Sequence, residues 1–524
     1  VGFDYLIRNG LIVDGTGKEP FPADLGIQGR QVTAIGNLGA NSAGRVIDAA
    51  GLVIAPGFID IHTHADLELM ANPRIESKLM QGVTTEVFSN CGLGFAPVAS
   101  SEALVMQRKY LRGLFGDHPS LSWKWASTRD FLECYRGRIA TNIAYLVPHG
   151  ALRVSAMGWQ DKPADDDELS MMNRLLQEAL DSGAWGMSTG LFYRPMNSAS
   201  IEECITLCKT VARNGGLFGI HLRDYQRHLL ESLDESFTIA QESGVRLQVS
   251  HLQAPGKLNK GRGMGERLMA QMESARSRGL DAMCDLYPYT AGCTMLASLL
   301  PSWVTAGEVH EAVAFLRDPH RRDEIRDHIH GLDYLEFSDL FLCGFRAGKN
   351  REFEGQCMTE IARRRHQSVA DTICDLLADE EMQVAHVVHQ STEEDLRTIL
   401  QHSSLMIGSD AVHFDGQVHP RVFGTYPRIL AEYVRRQRLL SLPEAIRKMS
   451  ALPAERLGLK GRGTVGIGKV ADLVLFDPET VQDNATYQQP KRHPSGMPYV
   501  FVNGRPVKDN HRHTGVLAGE VLVR

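Results

Sequence analysis

The 524-residue chain predicts an α/β protein: an eight-stranded parallel (β/α)8 barrel of the TIM type, a small β-sandwich formed by both chain ends, and an insertion before the last barrel strand. Three observations predict it. Eight apolar strand-like runs alternate with helical patterns, the sequence form of a parallel sheet wrapped by helices. Short strand-and-turn segments sit at both ends of the chain, each with too little apolar content to hold a core alone. Several of the eight runs also end in a polar or reactive residue, and a barrel of this kind gathers its functional side chains at the C-terminal ends of its strands.

Residues 3–14 (FDYLIRNGLIVD) and 24–36 (DLGIQGRQVTAIG) are short β-rich runs broken by Asn-Gly, Gly-Thr-Gly and Gln-Gly-Arg turn signals. Residues 464–478 (TVGIGKVADLVLFDP) and 499–507 (YVFVNGRPV) share that character. Residues 1–54 and 464–524 are therefore expected to fold together beside a central domain spanning 55–463. The eight barrel runs are 52–62, 83–90, 141–149, 184–191, 217–222, 246–252, 280–287 and 404–410. Between them, 165–181 places Leu169, Met172, Leu176 and Leu180 on one helical face. The gap over 290–400 is too long for an ordinary strand-helix-strand return. It holds helical patterns, a strand-like DLFLCGF at 339–345 and a basic run at 363–366, and it is expected to be a lid or subdomain over the barrel mouth, with the basic run on an exposed helix face.

Composition narrows the function classes. Hydrophobic residues make up 43% and charged residues 23%, and no apolar run approaches the roughly 20 residues of a membrane span. The balance of 56 basic and 63 acidic residues gives a net charge of −7, with no basic stripe. Nucleic acid and membrane are thereby disfavoured as partners, leaving a small molecule. Nine scattered cysteines read as reduced thiols, and the start VGFDYLIRNG has neither the basic nor the apolar region of a signal peptide, so a cytoplasmic protein is expected. The start also lacks an initiator methionine, which leaves open a trimmed export signal. Oligomeric state is not legible.

The chemistry gathers around residues 54–64, IAPGFIDIHTH. His62 and His64 lie one residue apart and leave the same face of a strand. Cys91 follows the second run, and His221 and His251, about 30 residues apart, close consecutive runs at the spacing of one strand-helix-strand unit. Taken alone, a buried cysteine is commonly a small core residue and a histidine a satisfied polar group. Five such side chains at strand ends are hard to place without a metal, and zinc accepts both imidazole and thiolate. Asp410, after the eighth run, is the candidate acid/base, since a carboxylate near metal-bound water can take its proton and return it to a leaving group. Its plainer role is to cap the following helix.

PGFIDIHTH, GVTTEVFSNCG, GIHLRD, VSHL, DLYPYTAG, GSDA, HPRVFGTYPR, SALPAERLGL and GIGKVADLVLFDP together resemble the amidohydrolase superfamily and, within it, the N-acyl-D-amino-acid deacylases (D-aminoacylases). The resemblance implies zinc-dependent hydrolysis of the amide of N-acyl-D-amino acids. It also implies that Cys91, His221 and His251 hold a tight Zn2+, while His62, His64, Cys91 and Asp410 line a second position that is weak or empty. Cysteine stands where other amidohydrolases use a carbamylated lysine of the fourth strand, which here reads GMSTGL. Asp410 would carry the proton from the attacking water to the departing amine. Family positions assign the substrate carboxylate to Arg421, Tyr193 and Tyr287, with His149 and Arg223 as further candidates; Arg421 could instead pin a loop, and either tyrosine could be packing.

One departure stands out. The family commonly has a lysine two residues beyond the sixth-strand histidine, and this position is Gln253, with Lys257 the nearest substitute. The apolar CTMLASLLPSW after YPYTAG favours a hydrophobic D-amino acid over D-glutamate or D-aspartate. The competing readings are a cyclic-amide hydrolase like hydantoinase or dihydroorotase, against which Cys91 counts, and a metal-free scaffold like the collapsin response mediator proteins, against which the intact ligand set counts.

Overall fold

Eight parallel strands, Phe58–Asp60, Val83–Phe88, Asn142–Pro148, Gly186–Gly190, Leu217–His221, Arg246–Val249, Ala282–Leu286 and Leu405–Ile407, pair in chain order. The structure is a computed structural model and describes residues 2–39, 42–346 and 348–524. The strands are buried nearly throughout, because helices cover the outside of the barrel and side chains fill its interior. The helix Asp166–Asp181 shows how local sequence sets these covers. Asp165 and Glu168 form a reciprocal capping box at its start, and Met172, Leu176 and Leu180 face the core.

No strand pairing joins the first strand to the eighth. The ring closes just beyond them, where Thr63–His64 pairs in parallel with Ala411–Val412 and the Asp410 N–H donates to the His62 carbonyl at 2.7 Å. Below this point the Tyr426 hydroxyl sits between the carbonyls of Ile59 and Ile407, at 3.5 and 3.4 Å. The seam of the barrel therefore lies at three of the candidate ligands, His62, His64 and Asp410.

The apolar run 52–62 divides between the two domains. Val53–Pro56 pairs with Phe3–Ile12 and, antiparallel, with Leu473–Phe476, so it belongs to the terminal sheet, and the barrel begins at Phe58. The chain crosses at Gly57 rather than after residue 54. A Cβ at Gly57 would lie 2.3 Å from the Thr84 side chain, so glycine is required where that side chain packs against the crossing backbone. The expected sandwich of both chain ends is realised as one continuous, mostly antiparallel sheet of nine strands, with Ile7, Ile12, Leu25, Ile27, Leu473 and Phe501 in its core.

The insertion is a folded subdomain. A three-stranded antiparallel sheet, Ala291–Met295, Ala385–His389 and Leu340–Cys343 with Ala385–His389 in the middle, packs with the helices Val309–Arg317, Pro319–His330, Met358–Arg365 and Val369–Asp379. Its own core includes Leu296, Leu316, Ile325, Leu342, Ile361 and Leu377. Arg363 lies on an exposed face in an ion pair with Glu360. A turn of the insertion is tied to the barrel loops: the Lys257 N–H donates to the Tyr334 carbonyl at 3.0 Å, Lys257 pairs with Glu336, and Arg227 pairs with Asp333. Among the described residues no helix is long and apolar enough to cross a membrane, and all nine cysteines are free.

Candidate active site

Six side chains predicted from sequence converge at the C-terminal end of the barrel. The Cys91 Sγ lies 3.3 Å from His62 Nε2 and 3.4 Å from His251 Nε2, and His221 Nδ1 lies 2.8 Å from His251 Nε2. Asp410 Oδ1 is 3.5 Å from His62 Nε2 and 3.2 Å from His64 Nε2. In each of three groups, His62/His64/Cys91, Cys91/His221/His251 and His62/His251/Asp410, the ligand atoms lie within 4.8 Å of one another. A thiol and two imidazoles so placed are a zinc donor set, and His62, Cys91 and His251 each belong to two of the groups.

The backbone at these residues is unusual. Cys91, His251 and Asp410 have φ of 56°, 32° and 47°, a region that non-glycine residues rarely occupy, at about 1–3 kcal/mol each. The His251 N–H bond to Asp285 and the Asp410 N–H bond to the His62 carbonyl hold two of them there.

Electrostatics favours ligation. Burial, and the repulsion that two adjacent charged rings would suffer, lower the pKa of His221 well below its ordinary value, and burial lowers His251 to about 4, so both are neutral with lone pairs available. Burial pushes the Cys91 thiol up to about 11, so binding a cation there must expel its proton. Burial opposes the Asp410 anion, yet the Arg421 guanidinium, 2.9 Å from Oδ2, and the His64 hydrogen bond hold this carboxyl well below the usual range. Asp410 is therefore ionised.

Two buried supports were not legible in the sequence. Asp285 Oδ1 accepts from the His251 N–H at 2.7 Å and bonds His62 Nδ1 at 3.0 Å, while its Oδ2 accepts from Gln248 Nε2 at 2.8 Å. Engaging Nδ1 orients the ring with Nε2 toward the other ligands; burial opposes the charged ring, but Asp285 and Cys91 raise the His62 pKa well above its ordinary value, so a cation at Nε2 must displace a proton. Lys78, fully buried, donates to Asp60, Thr63 and Ser409 at 2.6, 2.9 and 2.7 Å. Ser409 in turn donates to Asp60 through both its N–H and its hydroxyl, which ties the first strand to the loop carrying Asp410. The sequence signal for Asp285 is a carboxylate inside the apolar run 280–287; Lys78, in PRIESKLMQG, leaves none.

A cavity of about 240 Å³ opens over these ligands. Tyr193, Tyr287 and Gln253 line it. Arg421 lies fully buried behind Tyr287, its guanidinium 4.4 Å over that ring, with one donor on the Cys293 carbonyl at 3.3 Å. The Tyr193 hydroxyl bonds Thr294 Oγ1 at 2.9 Å. Gln253 donates to the Tyr289 carbonyl at 3.3 Å and accepts from Ser391 at 3.0 Å. Lys257 does not replace the missing lysine: it is exposed and paired with Glu336 at 2.5 Å. His149 and Arg223 are held by carboxylates, His149 by Glu203 at 2.9 Å and Arg223 by Glu235 at 2.8 Å.

Against known proteins, the amidohydrolase family model matches residues 45–508. The chain belongs to the amidohydrolase family. Over its full length it is 35% identical to D-aminoacylase of Alcaligenes xylosoxydans xylosoxydans, covering 98% of that protein, which places it in the D-aminoacylase branch. A solved D-aminoacylase, studied for the roles of its binuclear metal centre in one-metal activation and second-metal attenuation, superposes with a TM-score of 0.85 at 36% identity and full coverage of both chains. N-acyl-D-glutamate deacylase of Bordetella bronchiseptica, solved with zinc and a phosphonate mimic of the tetrahedral intermediate, gives 0.83 at 30% identity, again over both full chains. The fold of this amidohydrolase and the metal-binding character of its site agree with these relatives.

Proposed function

We propose that the protein is a zinc-dependent deacylase that hydrolyses the amide of N-acyl-D-amino acids to a carboxylate and a free D-amino acid. The observation that carries this reading is Cys91, His221 and His251 converging beside an ionised Asp410 in a chain of the D-aminoacylase branch. Cys91, His221 and His251 would hold the tight cation; His62, His64, Cys91 and Asp410 would line a second position, weak or empty. The chemistry a bound zinc supplies is Lewis acidity, polarising an acyl carbonyl and acidifying water.

The remaining steps belong to the protein's own groups. Asp410 takes a proton from the attacking water and delivers it to the amine nitrogen as the C–N bond breaks. Arg421 and His64 keep Asp410 ionised until then. The substrate carboxylate is held at the cavity wall by the Tyr193 and Tyr287 hydroxyls, with the Arg421 guanidinium behind Tyr287 supplying positive charge to it and to Asp410. Gln253 completes the wall without adding charge. Phe192, Leu299, Leu335 and Val388 give the cavity apolar walls, which supports an uncharged side chain with a hydrophobic stem in the substrate.

The test is hydrolysis of a panel of N-acetyl-D- and N-acetyl-L-amino acids beside hydantoins, with metal content measured on the same samples. The expected result is zinc-dependent turnover of the D-series, lowered about 10²- to 10⁴-fold in Asp410→Asn. Preference for a cyclic substrate would overturn the reading.

A further inference from the structure

The inserted sheet roofs the cavity with one of its faces. Gly292 stands opposite Val388, and Thr294 opposite His386, on antiparallel strands. Cross-strand partners share a face, and these four line the cavity together with Gln390 from the end of the middle strand. His386 is 3% exposed, and its Nδ1 has no hydrogen-bond partner. Burial lowers its pKa to about 4, so the ring is neutral at working pH. A buried polar nitrogen left unpaired in a cavity wall is destabilising unless water or a ligand pairs with it. Beside it, a Cβ on Gly292 would fall 2.7 Å from Gln390 Nε2 and 3.4 Å from the Tyr287 hydroxyl, so the missing side chain leaves room for the Gln390 amide at this wall.

The position of the roof says which part of a substrate meets it. Thr294 bonds Tyr193, and the Cys293 carbonyl accepts from Arg421, so the roof adjoins the proposed carboxylate clamp. An amino-acid side chain leaves the carbon next to its carboxylate. The cavity-lining Arg223 and Arg227 are engaged by Glu235 and Asp333, so they offer no free charge to an acidic side chain.

Building on the deacylase reading, we propose that His386 and Gln390 are specificity-determining residues that select an N-acyl-D-amino acid whose side chain is an apolar stem ending in a neutral hydrogen-bonding group, a carboxamide such as that of D-glutamine. A neutral imidazole and an amide each offer one kind of donor and one kind of acceptor, which complements a carboxamide. A carboxylate would bring charge with no cation to meet it, and a purely aliphatic tip would leave the imidazole unpaired.

The experiment compares kcat/KM for N-acetyl-D-glutamine, N-acetyl-D-methionine and N-acetyl-D-glutamate on the zinc-loaded protein and its His386→Leu and Gln390→Leu variants, with calorimetric binding of free D-glutamine and D-methionine as a second readout. The wild type is expected to favour glutamine over methionine about tenfold or more, with glutamate slowest. Each variant should lose about 10- to 100-fold on glutamine while methionine stays within about threefold. Preference of the wild type for methionine, or an equal loss on both substrates in the variants, overturns the selectivity and leaves the deacylase reading standing. Failure to hydrolyse any of the three overturns both.

Discussion

Asp285 offers the sharpest check on how the cation site is built, because its two oxygens do separable jobs. Oδ1 serves His62 Nδ1 and the His251 N–H, and Oδ2 serves Gln248. In Asp285→Asn the retained oxygen keeps the first two bonds, and the new amide meets Gln248, whose Oε1 has no partner and can turn to accept. Only the charge is lost. Hydrogen bonds to charged groups exceed neutral ones by about 1 kcal/mol, so two of them account for about 2 kcal/mol, or about 30-fold in zinc affinity. Asp285→Ala instead orphans three buried groups, His62 Nδ1, the His251 N–H and Gln248 Nε2, at about 1–3 kcal/mol each on top of the lost bonds, which places it at least about tenfold below the asparagine variant. Competition against a chromophoric chelator reads both affinities, and near-UV circular dichroism verifies the fold. Equal affinities in the two variants, or wild-type affinity in either, would refute the reasoning.

Lys78→Met should lower stability by about 3–5 kcal/mol, since it leaves Asp60 charged and unpaired in the interior; chemical denaturation should show the double variant with Asp60→Asn recovering much of that loss. Lys508, buried with one bond to the Met80 carbonyl, has its pKa lowered by burial to about 7 from an ordinary 10.5. Between those values the unfolded chain binds a proton that the folded chain lacks, so the contribution of this group to stability rises with pH over that window. Lys508→Met should therefore be the more stable protein in thermal melts at pH 7, with the gap closing by pH 10. Removing metal with a chelator should lower the melting midpoint, and zinc should restore it in proportion to the logarithm of its free concentration; a midpoint insensitive to both would argue against a bound cation.

The sequence carried the barrel, the pairing of the two chain ends and the six converging side chains because each leaves a local trace. Alternation brings His62 and His64 to one face, and strand-end positions mark Cys91, His221, His251 and Asp410. What it hid has no local trace. The supports Asp60, Lys78 and Asp285 are common residues whose partners lie far along the chain, such as Asp285 on His62 and Lys78 on Ser409. The left-handed backbone at Cys91, His251 and Asp410 follows from tertiary bonds, since these residue types do not demand it. The run 52–62 read as one strand because both of its halves are buried, and only the close approach of Thr84 to Gly57 separates them. His149 and Arg223 looked like ligand groups because the carboxylates that occupy them, Glu203 and Glu235, sit on helices elsewhere in the sequence.

The unpaired edges of the first and eighth strands explain why the site is where it is. A ladder running unbroken from the strands into this pair would have fixed His62 and residues 409–410 in extended backbone, directing alternate side chains away from the interior. The short Thr63–His64 and Ala411–Val412 pair closes the top of the seam, and side chains close it below: Lys78 and Ser409 on Asp60, and Tyr426 between two carbonyls. That leaves Asp410 free to turn back toward His62 and His64. Stability and cation binding should consequently fall together when this seam is disturbed, as in Ser409→Ala, whereas Ile27→Ala in the terminal sheet core should lower stability and leave zinc affinity unchanged. Loss of stability without loss of affinity in the seam variant would mean that the ligands are positioned by the strands alone.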